Sequence, residues 1–305
     1  AKKVLNNLYG EQLAKVEIGS IEKNIQDQQS KEKVSVLELL KPSLRFILIV
    51  GLVLGVLQQI TGINAVYFYA TSIFKQTGIG TDAAFASGIL LSLTTVFFTI
   101  IAIFLIDKMG RRPLLLVGIA GIAVSLLVCA YGFNQATYKL TSEKIAQFDT
   151  VEIGQLEPFV DKVYTNDVDF KNDMKSALGN QVYAKNEGAI LEAAITMNAT
   201  LVLLGILGFI ACFAFSLGPV MWVMLSELFP NKYRGLAIGV IGFVNSFISW
   251  VVQQIFPWEL SNLGNAMSFL IFGVIAVFGF FILLKILPET KGKSLEQIEF
   301  DLVKN

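Results

Sequence analysis

The sequence predicts an all-α membrane protein built from six transmembrane helices. Three observations predict it. Of the 305 residues, 54% are hydrophobic and only 16% are charged. A soluble domain is usually about 45–50% apolar and about 25% charged. The apolar excess, with a mean hydropathy of +0.63, is gathered into runs of 20 or more residues, long enough to span a bilayer core about 30 Å thick. Basic residues collect in alternate connections, the mark of a fixed topology.

Lys+Arg and Asp+Glu balance at 24 each, so no nucleic-acid partner is implied. Histidine is absent, which removes the commonest general base and metal ligand. Cys129 and Cys212 lie in apolar runs without metal-ligand spacing and read as core residues rather than a disulfide. No nucleophile–base set, paired carboxylates or phosphate-binding glycine loop appears at bilayer depth. An enzyme is not expected, nor a metal or cofactor.

Residues 1–43 alternate charged and apolar positions. Val4, Leu5 and Leu8, then Leu37 and Leu40, have helical spacing. They predict short amphipathic cytoplasmic helices at the membrane surface, ended by Pro42, with a solvated linker an equal reading for the first thirty residues. The segment reads like an internal linker, so the chain is expected to be the second half of a longer protein.

Six spans are drawn at about 45–75, 84–106, 113–133, 197–225, 235–257 and 267–287, within a bundle covering 44–287. A cytoplasmic tail follows at 288–305. Asp107–Pro113, Ser226–Gly235 and the lysines after the sixth span fall on one side, which puts both termini in the cytoplasm.

The first span carries QQITGINAVYFY at 58–69. Amides in hydrocarbon are costly unless they face partners or a wet cavity. Gln59 and Asn64 are five residues apart, about 140° around an unbroken helix at roughly 100° per residue. They could share one ligand only if the helix breaks between them, and Thr61-Gly62 is where that break is expected. Broken helices with polar side chains at mid-membrane are how transporters build substrate sites.

The third connection, about 134–195, holds ten acidic residues against six lysines. So long a loop usually has structure of its own. Thr141–Phe148 and Asp167–Leu178 are read as short helices. Asn198-Ala199-Thr200 matches a glycosylation acceptor but sits at the mouth of a span and is read as accidental.

In the fourth span, Pro219 beside Gly218 predicts a bend, and Trp222 offers a flat face for a sugar ring. Its nearness to the boundary equally suits an interfacial anchor. The fifth span places Asn245, Ser249 and Gln253 at intervals of four, a polar stripe of which Asn245 is the candidate ligand. Phe256 and Trp258, with Tyr131 and Phe133, read as aromatic belt. Arg111 and Arg112, beside Asp107, could pair with carboxylates on the neighbouring cytoplasmic turn, and Glu227 next to Arg234 is the natural partner. Amides, hydroxyls and aromatics with almost no ionisable groups suit an uncharged, hydroxyl-rich ligand.

Four motifs stand in order: QQITGIN at 58–64, DKMGRRP at 107–113, SELFPNKYRG at 226–235 and PETKG at 288–292. With them the chain resembles the C-terminal six-helix half of the sugar-porter branch of the major facilitator superfamily, which holds glucose facilitators and proton–sugar symporters. The resemblance implies monosaccharide transport by alternating access, as facilitator or symporter. Partners would be the lipid bilayer, the missing N-terminal six-helix half and, for a symporter, protons. It implies that Gln58, Gln59, Asn64, Asn245, Trp222 and Gly218 bind the sugar. Tyr67, Phe68 and Tyr69 would form the outer gate, with Pro219 letting the fourth span flex. Asp107, Arg111, Arg112, Glu227, Arg234 and Glu289 would form a cytoplasmic latch. Ser246, Leu217, Thr95 and Phe68 depart from relatives' more polar or aromatic residues, so the sugar's identity does not carry over. Rival readings are a non-transporting sugar sensor of the same fold and an inactive truncated half.

Overall fold

The structure, a computed structural model, describes residues 35–77, 81–145, 155–293, 297, 298 and 300. The expected helices around Val4, Leu5 and Leu8 lie outside the described residues. Near Leu37 and Leu40 there is a single 3-10 turn, Val36–Leu40. A capping box holds it: Ser35 accepts from its N3 backbone, and Glu38 accepts from the Ser35 N–H at 3.3 Å.

Six helical stretches are long and apolar enough to cross a membrane: Pro42–Phe68, Phe85–Met109, Arg111–Asn134, Ala199–Leu228, Asn231–Asn262 and Gly264–Ile286. The first is built from α1 (Pro42–Ile60) and α2 (Ile63–Phe68), and α3 (Ala70–Lys75) continues it outward. Then come α4 (Thr81–Met109) and α5 (Arg111–Asn134). The fourth is split into α9 (Ala199–Phe215) and α10 (Leu217–Leu228), and α11 (Asn231–Asn262) and α12 (Gly264–Ile286) complete the bundle.

The expected break in the first span is present. Gly62 stands between α1 and α2 in the left-handed region, at φ +85°. Any side chain there would be strained, and a Cβ would lie 2.7 Å from the Phe272 ring. In the fourth span the break comes at Ser216, three residues before Pro219, with φ −128° and ψ −97°. Proline acts upstream: it removes its own donor, and its ring crowds the carbonyl four residues earlier, here Phe215.

α5 lies between α9 and α12, α4 packs on α9, and α1 on α11. Gly118 and Gly121 of α5 face Ser216 and Cys212, so the two backbones approach closely. Cys129 and Cys212 are free.

Two aromatics expected at the membrane boundary are buried instead. Phe133 stacks on Phe269 at 5.5 Å, and Phe256 lies 5.5 Å from Tyr69 and 5.8 Å from Phe272. α11 runs on past Phe256 to Asn262, so that ring sits inside the bundle rather than at its rim. Tyr131 and Trp258 are exposed, as belt residues are.

The long third connection folds as a cap with its own core. Strands β1 (Thr137–Lys139), β2 (Val163–Tyr164) and β3 (Ile195–Thr196) form an antiparallel sheet of order β2-β1-β3. The helices α6 (Ser142–Ile145), α7 (Asp167–Leu178) and α8 (Asn180–Ala194) accompany it. α7 has the expected bounds. α6 covers only part of Thr141–Phe148, whose last residues are outside the described set. Phe170 stacks on Tyr138 at 5.2 Å and meets Tyr164 edge-on at 5.4 Å, the centre of a cluster separate from the bundle core. Asn198 is a helix cap: its side chain accepts from Leu201 N at 3.0 Å.

Candidate functional site

The break at Thr61-Gly62 re-aims α2. Asn64 comes back alongside Gln59, and Asn64 Nδ2 donates to Gln59 Oε1 at 2.9 Å and to Ser249 Oγ at 2.7 Å. Gln59 Nε2 donates to Asn245 Oδ1 at 3.1 Å. Asn245 Nδ2 donates to Gln58 Oε1 and to the Gly55 carbonyl, both at 2.8 Å. Gln253 Nε2 reaches Ser249 Oγ at 3.0 Å. One connected network of amides and a hydroxyl thus joins the first and fifth spans. Each member satisfies the next, which is what makes such a cluster tolerable in an apolar bundle.

A cleft of about 250 Å³ opens on this network. Gln59, Asn64 and Asn245 line it with Ser246, Ser249, Trp250, Gln253 and Gln254. No ionisable side chain is among them. The α11 side of the cleft is broader than the sequence suggested, because Ser246, Trp250 and Gln254 also face it. The stripe at 245, 249 and 253 was the available signal, and the turn-to-turn neighbours of that stripe follow from it.

Three expected sugar ligands lie elsewhere. Gln58 is turned from the cleft: its Nε2 donates to the Leu217 carbonyl at 2.8 Å and to that of Gly218 at 3.4 Å. It thereby ties α1 to the first turn of α10, whose carbonyls have a second lone pair to offer. Gly218 offers its carbonyl to Gln58 and packs on Phe213. Trp222 is 41% exposed and faces Gly242 of α11, outside the cleft's lining.

Toward the cap, Tyr67 Oη lies 3.3 Å from Thr95 Oγ1 and donates to Ser92 Oγ at 3.4 Å, tying α2 to α4. Tyr69 packs on Phe256, and Phe68 is 72% exposed.

At the other end, Arg111 grips Glu227. Its Nη2 donates to Oε1 at 2.7 Å, and Nε lies 3.1 Å from both carboxylate oxygens. Nη1 turns back to the Ile106 carbonyl at 3.2 Å and to Asp107 Oδ1 at 3.3 Å. Thr290 Oγ1 adds a bond to Glu227 Oε2 at 2.7 Å. Glu289 sits over Gly110, where a Cβ would come within 2.8 Å of Oε2. Its carboxylate accepts from Arg111 N at 3.2 Å and Arg112 N at 3.3 Å. An anion at the first turn of α5 is favoured by the helix dipole and its unpaired N–H groups. Arg112 and Arg234 make no carboxylate pair among the described side chains. Arg112 Nη2 donates to the Leu284 carbonyl at 3.0 Å, and Arg234 Nε to that of Phe229 at 3.2 Å. The described residues hold no group of metal-ligating side chains.

Comparison with known proteins decides the family. The model of a family described as "Sugar (and other) transporter" matches residues 1–150 and 177–302. The chain belongs to this sugar transporter family. It is a multi-pass membrane protein of the major facilitator fold. Similar sugar transporters include the arabinose-proton symporter of Bacillus subtilis, 31% identical over 98% of this chain and 51% of that protein. The glucose transporter GlcP of Staphylococcus epidermidis is 32% identical over 86% of this chain and 46% of that protein. Among solved structures, the proton:xylose symporter XylE bound to 6-bromo-6-deoxy-D-glucose has 26% identity and a TM-score of 0.64. That match covers 99% of this chain and 51% of the symporter. The chain thus spans about half the length of the curated sugar transporters it matches. Residues 151–176 fall between the matched stretches.

Proposed function

We propose that this chain is the C-terminal half of a monosaccharide transporter working by alternating access. The observation that carries the reading is the amide network Gln59–Asn64–Asn245–Ser249, which opens on a cleft lined without a charged side chain. Amides both donate to and accept from hydroxyl groups, and Trp250 supplies a ring at the cleft's edge. The cleft, about 250 Å³, is smaller than the roughly 300–1,000 Å³ of a complete small-molecule pocket. That suits a site whose opposite wall belongs to another set of helices.

The apolar faces of α4 and α11 support a missing half. Only 11% and 22% of their most apolar windows are buried, against 67% in the first span. Those faces would meet the N-terminal six-helix half, the two halves rocking about the cleft. Residues 44–287 are then the bundle with its extracytoplasmic cap, and 1–43 and 288–305 are cytoplasmic, a reading that the placement of basic residues supports. Tyr67, Phe68 and Tyr69 act as the outer gate, Pro219 as a flexing point, and Arg111, Glu227 and Glu289 as the centre of the cytoplasmic latch. Asp107 and Arg112 support the latch, while Arg234 braces its own turn. This half is read as part of a transporter rather than an enzyme, and a proton site would belong to the other half.

The test is uptake of labelled D-xylose, L-arabinose and D-glucose into vesicles carrying the full-length protein, with and without a proton gradient. Saturable uptake of one of them is expected. Uptake surviving collapse of the gradient identifies a facilitator, and uptake that needs it a symporter. Binding without uptake would overturn the transport reading in favour of a sensor.

A further inference from the structure

The polar stripe of α11 does not end at the cleft. Asn245, Ser249, Gln253 and Ser261, with the apolar Pro257 between the last two, follow at intervals of four as a slowly winding line toward the cap. The first three line the cleft already described, and Pro257 and Ser261 line a second one of about 180 Å³. Tyr69 and Phe256, 5.5 Å apart, stand between the two levels. The spans contribute Tyr69, Ser72, Gln76, Leu260 and Ser261 with Pro257 to the outer cleft, and the cap contributes Lys171, Lys175 and Glu187.

A buried polar cluster fixes the cap over this mouth. Lys171 Nζ donates to Asp167 Oδ2 and to Gln76 Oε1, both at 2.8 Å. Asn265 Nδ2 donates to the same two oxygens, at 2.9 Å and 2.6 Å. All four side chains are buried. The cluster ties α7 to the outer ends of α3 and α12, and Lys171 is neutralised within it. One turn further along α7 stands Lys175, at the cleft. Neither Lys175 nor Glu187 has an ion-pair partner within 4 Å among the described residues; Lys175 lies 5.7 Å over the Tyr183 ring. Lys171 and Lys175 both fall in the stretch, 151–176, that the family model does not match.

We propose that this outer cleft is a second site for a neutral, polyhydroxylated ligand, a vestibular sugar site partly built by the cap. Lys175 donates to ring hydroxyls, Glu187 accepts from them, and Tyr69 offers a face to the sugar's C–H groups. The two charges are opposite, so the site favours a neutral sugar over a sugar acid. The proposal rests on the transport reading and adds to it a binding level outside the gate.

The experiment measures binding of D-xylose, L-arabinose and D-glucose to the purified full-length protein by saturation-transfer NMR. Gln59→Ala disables the inner cleft, with Asn245→Ala as the second background should the first misfold. Weak binding is expected to persist in that background and to fall about fivefold when Lys175→Gln or Glu187→Gln is added, the size of one hydrogen bond of about 1 kcal/mol. Loss of all binding on disabling the inner cleft would overturn the vestibular site while leaving the transport reading intact. Residual binding unmoved by either cap substitution would do the same. A wild-type protein that binds none of the three sugars would overturn both.

Discussion

Gln59 and Asn245 face each other from two different spans, Nε2 of the first 3.1 Å from Oδ1 of the second, and both are buried. Each also holds a further partner, Asn64 for Gln59 and Gln58 for Asn245, so neither amide can change without leaving another unmet.

Gln59→Ala should therefore weaken sugar binding by about tenfold or more, since an unmet buried polar group and a lost ligand contact each cost about 1–3 kcal/mol. Binding titration alongside a thermal melt checks this. Unchanged affinity in a protein that has lost its fold would mean the amide only glues helices together.

Arg111→Lys should loosen the end of the bundle at which Arg111 and Glu227 meet. The guanidinium meets Glu227 through both Nε and Nη2, a fork that an ammonium cannot reproduce. Labelling of a cysteine placed at the buried Leu225 should rise severalfold from that side of the membrane. Arg234→Lys should move it far less, because Arg234 caps the Phe229 carbonyl instead. Equal effects of the two substitutions would argue against a latch centred on Arg111.

Gly62→Ala should destabilise the bundle. Left-handed backbone costs a residue with a side chain about 1–2 kcal/mol, and the new methyl would press on Phe272. Phe272→Leu should relieve the contact but not the backbone strain, so the double variant should melt between wild type and Gly62→Ala. Full recovery would show that contact alone mattered.

Lys171→Met leaves the Asp167 carboxylate buried without its cation, a loss of about 3–5 kcal/mol for a broken buried pair. Faster hydrogen exchange in α7 is the expected readout, and adding Asp167→Asn should restore most of the protection. A single variant as well protected as wild type would show the pair to be dispensable.

The cap should also weaken in acid through Asp173. A hydrogen bond from Lys162, then one from Tyr164, hold its carboxyl below the usual 3.8. A lowered folded-state pKa gives stability that is complete above the unfolded value and is lost as pH falls through the folded one. Exchange protection of α7 should be flat above about pH 5 and decline below about 4. Asp173→Asn should remove that decline, although partial exposure of the group keeps the effect small.

The sequence by itself determined the six spans and the break in the first of them. Both are local properties: a run of apolar residues has nowhere to go but lipid or core, and only glycine sits easily at the φ of Gly62. It also supplied Gln59, Asn64 and Asn245, because amides stand out against an apolar background. Tertiary structure decided which way each polar group turns. Gln58, adjacent to Gln59, serves the broken fourth span at Leu217, while Trp250 rather than Trp222 reaches the cleft. Burial of Phe133 and Phe256 was equally hidden, as was the tie between Lys171 and Gln76. The reason is common to all of them. Lipid and protein interior are both apolar, so a span carries little periodicity to mark its buried face. The rotation of each helix is then set by close packing against neighbours far away in the chain.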